Sequence, residues 1–436
     1  MKSKVYSSVE QFKEQNAELK TDLPISDDNS VLCQKVKIGN LELSNRLVCQ
    51  AMEGCDGTSD GRPDELTVRR YERLSKGGAG LIWFEATAVC NEGRANPRQL
   101  YINKKNLDDF KKIVENIKRW GMKENGYEPA VIMQATHSGR YSKPEGKPAP
   151  IIAYNNPIFE KDNPIDKSRI ITDEGLDRVH ESLVHAAGLA KEAGFDGVDI
   201  KCCHRYLNSE LLSAFTREGR YGGSFENRTR LLRESVRDSI SLCGDGFTVT
   251  SRMNVYDGFP YPYGFGVKEG EGITPDLSEA DRVIKELAEL GVKLLDITMG
   301  NPYFNPHVNR PYAAGGYEPP EHPLCGVARM LKGTAKLGKA NPDVSLICSG
   351  LSFLGAAAPG VAAAFIEEGG FSLAGFGRMI FAYPDFAKDI VNGRFDPKKI
   401  CIACSKCTEI MRAGGTPGCI VRDGETYMPI YKKYCK

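Results

Sequence analysis

The sequence predicts a (β/α)8 (TIM) barrel with an N-terminal arm over residues 1–35, the barrel over 36–395 and a cysteine-rich extension over 396–436. Three observations carry this expectation. Eight short runs rich in Val, Ile and Leu recur along the chain, segments of helical period separate them, and four cysteines crowd together near the end. A chain of 436 residues is an ordinary length for one such barrel with insertions.

The arm opens with Ser7 and Glu10, a spacing that fits a capping box at the start of a short polar helix reaching Lys20. The apolar runs follow: Arg46–Met52, Gly80–Val89, Ala130–His137, Gly197–His204, Phe247–Asn254, Leu294–Gly300, Val344–Gly350 and Leu373–Met379. Each has the length and composition of a strand buried on both faces. Between the third and fourth runs, Leu176, Val179, Leu183, Ala186 and Ala190 recur at steps of three and four, one apolar stripe of a helix. Thr172 and Asp173 precede the stripe as caps, and Gly194 follows where a left-handed residue ends a helix. An open doubly wound sheet is the rival architecture, but no G-x-G-x-x-G follows the first strand.

Composition narrows the function. Net charge is +1, the pI is about 7.4 and like charges form no block, which argues against nucleic acid or a membrane surface as partner. No apolar run approaches the roughly 20 residues of a transmembrane helix. Met1–Lys20 is polar and lacks the apolar stretch of a signal peptide. Fourteen cysteines without an export signal read as reduced thiols and metal ligands, and the expected location is cytoplasmic.

Cys401, Cys404, Cys407 and Cys419 fit C-x2-C-x2-C-x11-C. Short loops at this spacing bring thiolates to one centre, and thiolate is the ligand of iron–sulfur clusters and of structural zinc. Spacing alone does not choose between a [4Fe–4S] cluster, zinc and a redox pair.

In a barrel, chemistry gathers where strands end and βα loops begin. Ser142–Lys167 after the third strand carries five prolines. Tyr256, Phe259, Tyr261, Tyr263 and Phe265 follow the fifth strand, and Tyr303, Phe304 and His307 follow the sixth. Rigid aromatic loops suit a flat, largely apolar ligand, or else simply cap the mouth.

Around the fourth strand the pattern becomes specific. Lys201-Cys202-Cys203-His204-Arg205-Tyr206 is followed by Tyr221-Gly222-Gly223-Ser224-Phe225-Glu226-Asn227-Arg228. Asn45-Arg46 opens the first strand, Glu85-Ala86-Thr87-Ala88-Val89 ends the second, Gln134-Ala135-Thr136-His137-Ser138-Gly139-Arg140 ends the third, and Gly377-Arg378 ends the eighth. This ordered set resembles the Old Yellow Enzyme family of FMN-dependent oxidoreductases over about Asn45 to Ala387. The cysteine tail is similar to that of its iron–sulfur branch, which includes bacterial 2,4-dienoyl-CoA reductase and trimethylamine dehydrogenase.

The resemblance implies FMN in the barrel and a [4Fe–4S] cluster on the four cysteines. Ser349-Gly350 and Gly377-Arg378 would hold the flavin phosphate, with Gln134 on the pyrimidine edge and Arg252 beside N1 and O2. Ala51, Met52 and Ala86 would line the ring. The family's carbonyl-binding pair falls on Lys201 and His204, and Tyr206 falls on its proton donor. Two donors polarising a carbonyl make its β-carbon accept hydride from flavin N5, while Tyr206 protonates the α-carbon. Glu53 departs from the pattern by placing a carboxylate where many relatives have Thr or Cys.

The implied activity is an ene-reductase reducing a C=C bond conjugated to a carbonyl, carboxylate or thioester in a small flat substrate. NAD(P)H or a separate electron-donor protein is the expected reductant, because the chain ends at Lys436 without the additional nucleotide-binding domains of those relatives. Two alternatives remain at this point: amine oxidation of the trimethylamine-dehydrogenase kind, and a flavin and iron–sulfur electron carrier.

Overall fold

Eight parallel strands close on themselves in the computed structural model, which describes residues 4–435. After a two-stranded hairpin, β1 (Val36–Ile38) and β2 (Leu41–Leu43), come β3 (Leu47–Cys49), β4 (Leu81–Ala88), β5 (Ala130–Thr136), β6 (Gly197–Ile200), β7 (Thr248–Asn254), β8 (Leu294–Thr298), β9 (Ser345–Cys348) and β10 (Leu373–Phe376). The barrel order is β10-β3-β4-β5-β6-β7-β8-β9. Each barrel strand lies within one of the eight apolar runs, and each is followed by a helix, so the expected (β/α)8 architecture is the one observed.

The helix Asp173–Glu192 shows why the helical segments fold as they do. Leu176, Val179, Leu183, Ala186 and Ala190 are all buried against the barrel wall. The Thr172 hydroxyl accepts from Gly175 N, and Gly194 takes φ +84° beyond the C-terminus.

Two features depart from the sequence expectation. In the arm, Ser8 rather than Ser7 caps the helix, which runs Val9–Glu18, and Ser7 instead binds the Gln11 side chain. The other is the β1–β2 hairpin. Its Ile38, Leu41 and Leu43 pack onto Leu81, Ala130, Leu294 and Leu373, the first residues of four barrel strands, and so plug the end opposite the loops that carry chemistry.

The C-terminal segment folds back across the other end. Asp423, between the helices Lys406–Arg412 and Gly424–Tyr434, pairs with Arg69 at 2.8 Å and also with Arg73. Thr416 Oγ1 donates to the Cys55 carbonyl at 3.2 Å, and Arg412 to that of Pro302 at 3.0 Å. These contacts bring the cysteines to the rim of the barrel mouth.

Candidate active site

The strand ends converge on one cavity of about 1030 Å³, its open mouth included. Ala51 and Met52 enter it after β3, Ala86 from β4, Gln134 from β5, Arg252 from β7, Ser349 and Gly350 after β9, and Gly377 and Arg378 after β10. Lys201, His204 and Tyr206 line the same space. All the flavin and substrate residues expected from the sequence therefore share one cavity. A break in the β4–β5 register between Phe84 and Ala86 contributes, since a bulge re-aims side chains at a site. Glu85 is turned outward against Arg70 while Ala86 lines the cavity.

Two buried carboxylates set the floor. Asp199 accepts from Gln134 Nε2 at 2.6 Å, Trp83 Nε1 at 2.8 Å and Arg252 N at 2.7 Å. Asp296 accepts from Gln50 Nε2 at 3.0 Å and lies 3.0 Å from Arg252 Nε. Arg252 is thus both a partner in a buried ion pair and a cavity group. Burial pushes the Asp296 carboxyl up to about 6, against the pull of Arg252.

At the β9–β10 end, Gly350 takes φ +96°, a conformation that favours glycine. Gly377 is different, because no positive φ demands it. A Cβ there would meet only Met52 Sδ at 3.5 Å, so the protein leaves that space open for a ligand. Beside it, Arg378 Nη1 is buried without a hydrogen-bond partner. Arg310, from the loop after β8, lines the cavity as well, and burial with the neighbouring Arg378 brings its guanidinium down to about 10. Among the described residues no carboxylate forms a salt bridge with either arginine. Two desolvated cations beside a glycine cradle fit a phosphate dianion, so the site fits FMN.

The opposite side is polar and aromatic. Lys201 Nζ lies 3.8 Å from the centre of the Tyr206 ring, a cation–π contact. Tyr206 and Tyr303 share a hydroxyl–hydroxyl hydrogen bond of 2.9 Å, and Tyr303 stacks on Tyr141 with ring centres 3.9 Å apart. Burial, with Tyr303 and Glu53 nearby, holds the Tyr206 phenol well above its ordinary range, so it keeps its proton. Burial, with Arg252 and Lys201, drives His204 well below the usual imidazole range, so it is neutral. Burial also lowers Lys201.

His204 and Arg205 both have positive φ, 64° and 57°. This strained turn is held by the fully buried Arg205, paired with Asp257 at 2.9 Å.

Tyr303 lines the cavity, as expected of the aromatic loop after the sixth strand, while sequence reasoning missed Gln50, Asn309, Arg310, and from the extension Thr408, Met411 and Pro417. Glu53, noted only as a departure, also lines the cavity. The aromatics at 256–265 do not line it. Tyr256 donates to the Ile273 carbonyl at 2.7 Å, Phe265 is buried, and Phe259 packs on Phe159 and Phe304, so this loop is a cap.

The four cysteines border a second cavity of about 390 Å³. Arg378, Phe381 and Cys407 line both cavities and form the partition between them. Ala403 N donates to Cys401 Sγ at 3.4 Å and Arg422 N to Cys419 Sγ at 3.3 Å. Ala403 and Ser405 take φ of 51° and 60°, folding the loop around the space. Among the described residues, no three of these sulfurs lie mutually within 4.8 Å. Four thiols around one space are a donor set that suits either an iron–sulfur cluster or a metal ion.

The NADH:flavin oxidoreductase / NADH oxidase family matches residues 32–396. The chain is similar to the NADPH dehydrogenase of Clostridium acetobutylicum, 28% identical over 267 residues that make up 60% of this chain and 72% of that protein. Its fold is similar to that of 2-naphthoyl-CoA reductase in complex with 2-naphthoyl-CoA, with TM-score 0.73, 22% identity and coverage of 93% of this chain. The match spans 58% of that reductase. The Old Yellow Enzyme homologue from Zymomonas mobilis gives TM-score 0.64 at 20% identity, covering 92% of this chain and 99% of that one. Among the described residues no helix is long and apolar enough to cross a membrane. With a family match over most of its length and a cavity built for the flavin, the chain belongs to the NADH:flavin oxidoreductase / NADH oxidase family and is an FMN-dependent oxidoreductase of the Old Yellow Enzyme kind.

Proposed function

We propose that this protein is an NAD(P)H-linked ene-reductase that saturates a C=C bond conjugated to a carbonyl, carboxylate or thioester, with a [4Fe–4S] cluster on Cys401, Cys404, Cys407 and Cys419. The observation that carries the reading is the convergence of Lys201, His204 and Tyr206 on the cavity that Gln134 and Arg252 enter from the barrel floor. FMN, held by Gln134, Arg252, Gly377 and Arg378, would supply the hydride that the β-carbon accepts. Lys201 and neutral His204 bind the carbonyl oxygen and draw electron density from the double bond. Tyr206, kept protonated, gives its proton to the α-carbon, and Tyr303 orients that hydroxyl through their shared hydrogen bond. Tyr303, backed by the stacked ring of Tyr141, gives the cavity an aromatic wall for a flat substrate. The extension excludes water on the side where Thr408, Met411 and Pro417 enter the cavity.

Amine oxidation fits less well. A substrate ammonium would need an aromatic face, and the face of Tyr206 already holds the Lys201 cation at 3.8 Å. A pure electron carrier has no use for three convergent donors beside a substrate-sized space.

The test is anaerobic stopped-flow mixing of the reduced holoenzyme with cinnamaldehyde, cyclohexenone and an enoyl thioester. Rapid flavin reoxidation with stoichiometric saturated product is expected. No reoxidation by any of the three, together with bleaching of the oxidised flavin by trimethylamine, would overturn the reading in favour of amine oxidation.

A further inference from the structure

Among the described residues Glu53 is the one carboxylate that lines the cavity, and its position is built. The chain after β3 turns at Gly54, whose N–H donates to Glu85 Oε2 at 2.7 Å. A Cβ at Gly54 would lie 1.8 Å from Arg70 Nη1, so no other residue fits without moving that guanidinium. Arg70 is itself fixed by a two-pronged pair with Asp56, both contacts 3.0 Å, and by Glu85. Cys55 follows at φ 48°, completing a turn that presents Glu53 inward.

Burial pushes the Glu53 carboxyl above its ordinary range, and the polar groups around it, Tyr206 among them, pull the other way. Asn96 Nδ2 donates to Oε1 at 3.0 Å, the Cys55 thiol faces the same oxygen at 3.7 Å, and the Lys201 ammonium lies across the cavity. These are donors and a cation, which a carboxylate can use. Lys201 Nζ, in turn, makes no salt bridge of 4.0 Å or less with any carboxylate among the described residues. Glu53 therefore offsets the lysine's charge without occupying its N–H donors.

The remaining charges reinforce the balance. His204 is neutral, and Arg252 is paired with Asp296. A free carboxylate entering beside Lys201 would meet Glu53 as a like charge in a site of reduced dielectric. A neutral carbonyl would find the lysine donors open and no repulsion.

We infer that Glu53 is a specificity-determining residue that restricts this site to neutral conjugated carbonyls, namely enals, enones and enoyl thioesters, and rejects free 2-enoates. This rests on the ene-reductase reading above and narrows its substrate class. Selection operates through an introduced repulsion, with the attractive donor left intact.

The experiment compares cinnamaldehyde with cinnamate in the wild-type holoenzyme and in Glu53→Gln and Glu53→Ser. Two quantities are read: kcat/KM for each compound, and the Kd of each compound for the oxidised enzyme from its perturbation of the flavin spectrum. In wild type, the ratio of kcat/KM for cinnamate over cinnamaldehyde should be about a hundredfold below unity, and cinnamate binding should be correspondingly weak. Removing the charge should raise that ratio at least about tenfold in both variants, with the gain in cinnamate Kd and KM rather than kcat. Wild-type enzyme that takes both compounds equally, or a ratio unmoved in a variant that binds FMN normally, would overturn the inference while leaving ene-reduction standing. Failure of both compounds to reoxidise the reduced flavin would overturn both readings together.

Discussion

The hydroxyl of Tyr206 is bonded to that of Tyr303 at 2.9 Å, which ties the end of the fourth barrel strand to the loop after the sixth. Both phenols line the cavity, and the proposed mechanism assigns the proton to Tyr206. Tyr206→Phe should lower the rate of flavin reoxidation by an enal about 10²–10⁴-fold while flavin reduction by NAD(P)H stays close to wild type. Tyr303→Phe keeps the donor but frees its orientation, and should cost about tenfold or less in the same single-turnover assay. Equal losses in both variants would assign the proton to a network rather than to Tyr206.

Arg378 and Arg310 form the cationic end of the flavin cavity, without carboxylate partners among the described residues. Arg378→Ala removes a charge-assisted contact worth about 1.5–3 kcal/mol, so FMN affinity should fall roughly 10–100-fold in fluorescence titration of the apoprotein. Arg310→Ala should weaken FMN less in 0.5 M salt than in dilute buffer, since part of its effect is long-range charge.

Asp296 supplies a pH signature. Its folded-state value of about 6 lies above the ordinary carboxyl value of 3.8, so the folded protein holds this proton more tightly than the unfolded chain does. The associated stability is fully present below pH 4 and is lost as pH rises through 6. The displacement corresponds to on the order of 3 kcal/mol. Asp296→Asn should flatten the pH 4–6 region of the unfolding profile relative to wild type. It also leaves the Arg252 charge uncompensated near the flavin, so the midpoint potential should move up by about 30 mV, a tenfold change for a two-electron couple.

The Arg205–Asp257 pair is fully buried, and Asp257 also accepts from Phe265 N at 2.8 Å and Asn254 Nδ2 at 2.8 Å. Asp257→Ala strands an unpaired guanidinium and should destabilise the fold by about 3–5 kcal/mol in urea. At temperatures where the variant remains folded, enal turnover should still fall, because the same pair holds the left-handed turn at His204 and Arg205.

The barrel was largely legible in the sequence because strands covered on both faces leave continuous apolar runs. Gln134, Arg252, Gly377 and Arg378 were legible through the family resemblance, whose motifs fall in order at the strand ends. The hairpin was not legible. Val36–Ile38 and Leu41–Leu43 are three residues each, too short for a period, and their apolar side chains acquire meaning only against Leu81 and Leu373. Of the two readings of the loop at 256–265 the cap is the one observed, because Gly258 and Gly266 at φ +70° and +71° turn it back and its rings pack on neighbouring loops, Phe259 on Phe159 and Phe304 and Tyr261 on Phe215. Arg310, Met411 and Pro417 belong to segments more than a hundred residues from Gln134, and no local pattern announces that they meet.

The hairpin plug leaves the barrel with one working entrance. A nicotinamide donor and an acceptor that each had to touch the flavin directly would use it in turn, so neither would wait inside while the other reacts. Turnover should therefore alternate, giving parallel lines in double-reciprocal plots. A large excess of either compound should slow the enzyme by occupying the doorway during the half-cycle that belongs to the other.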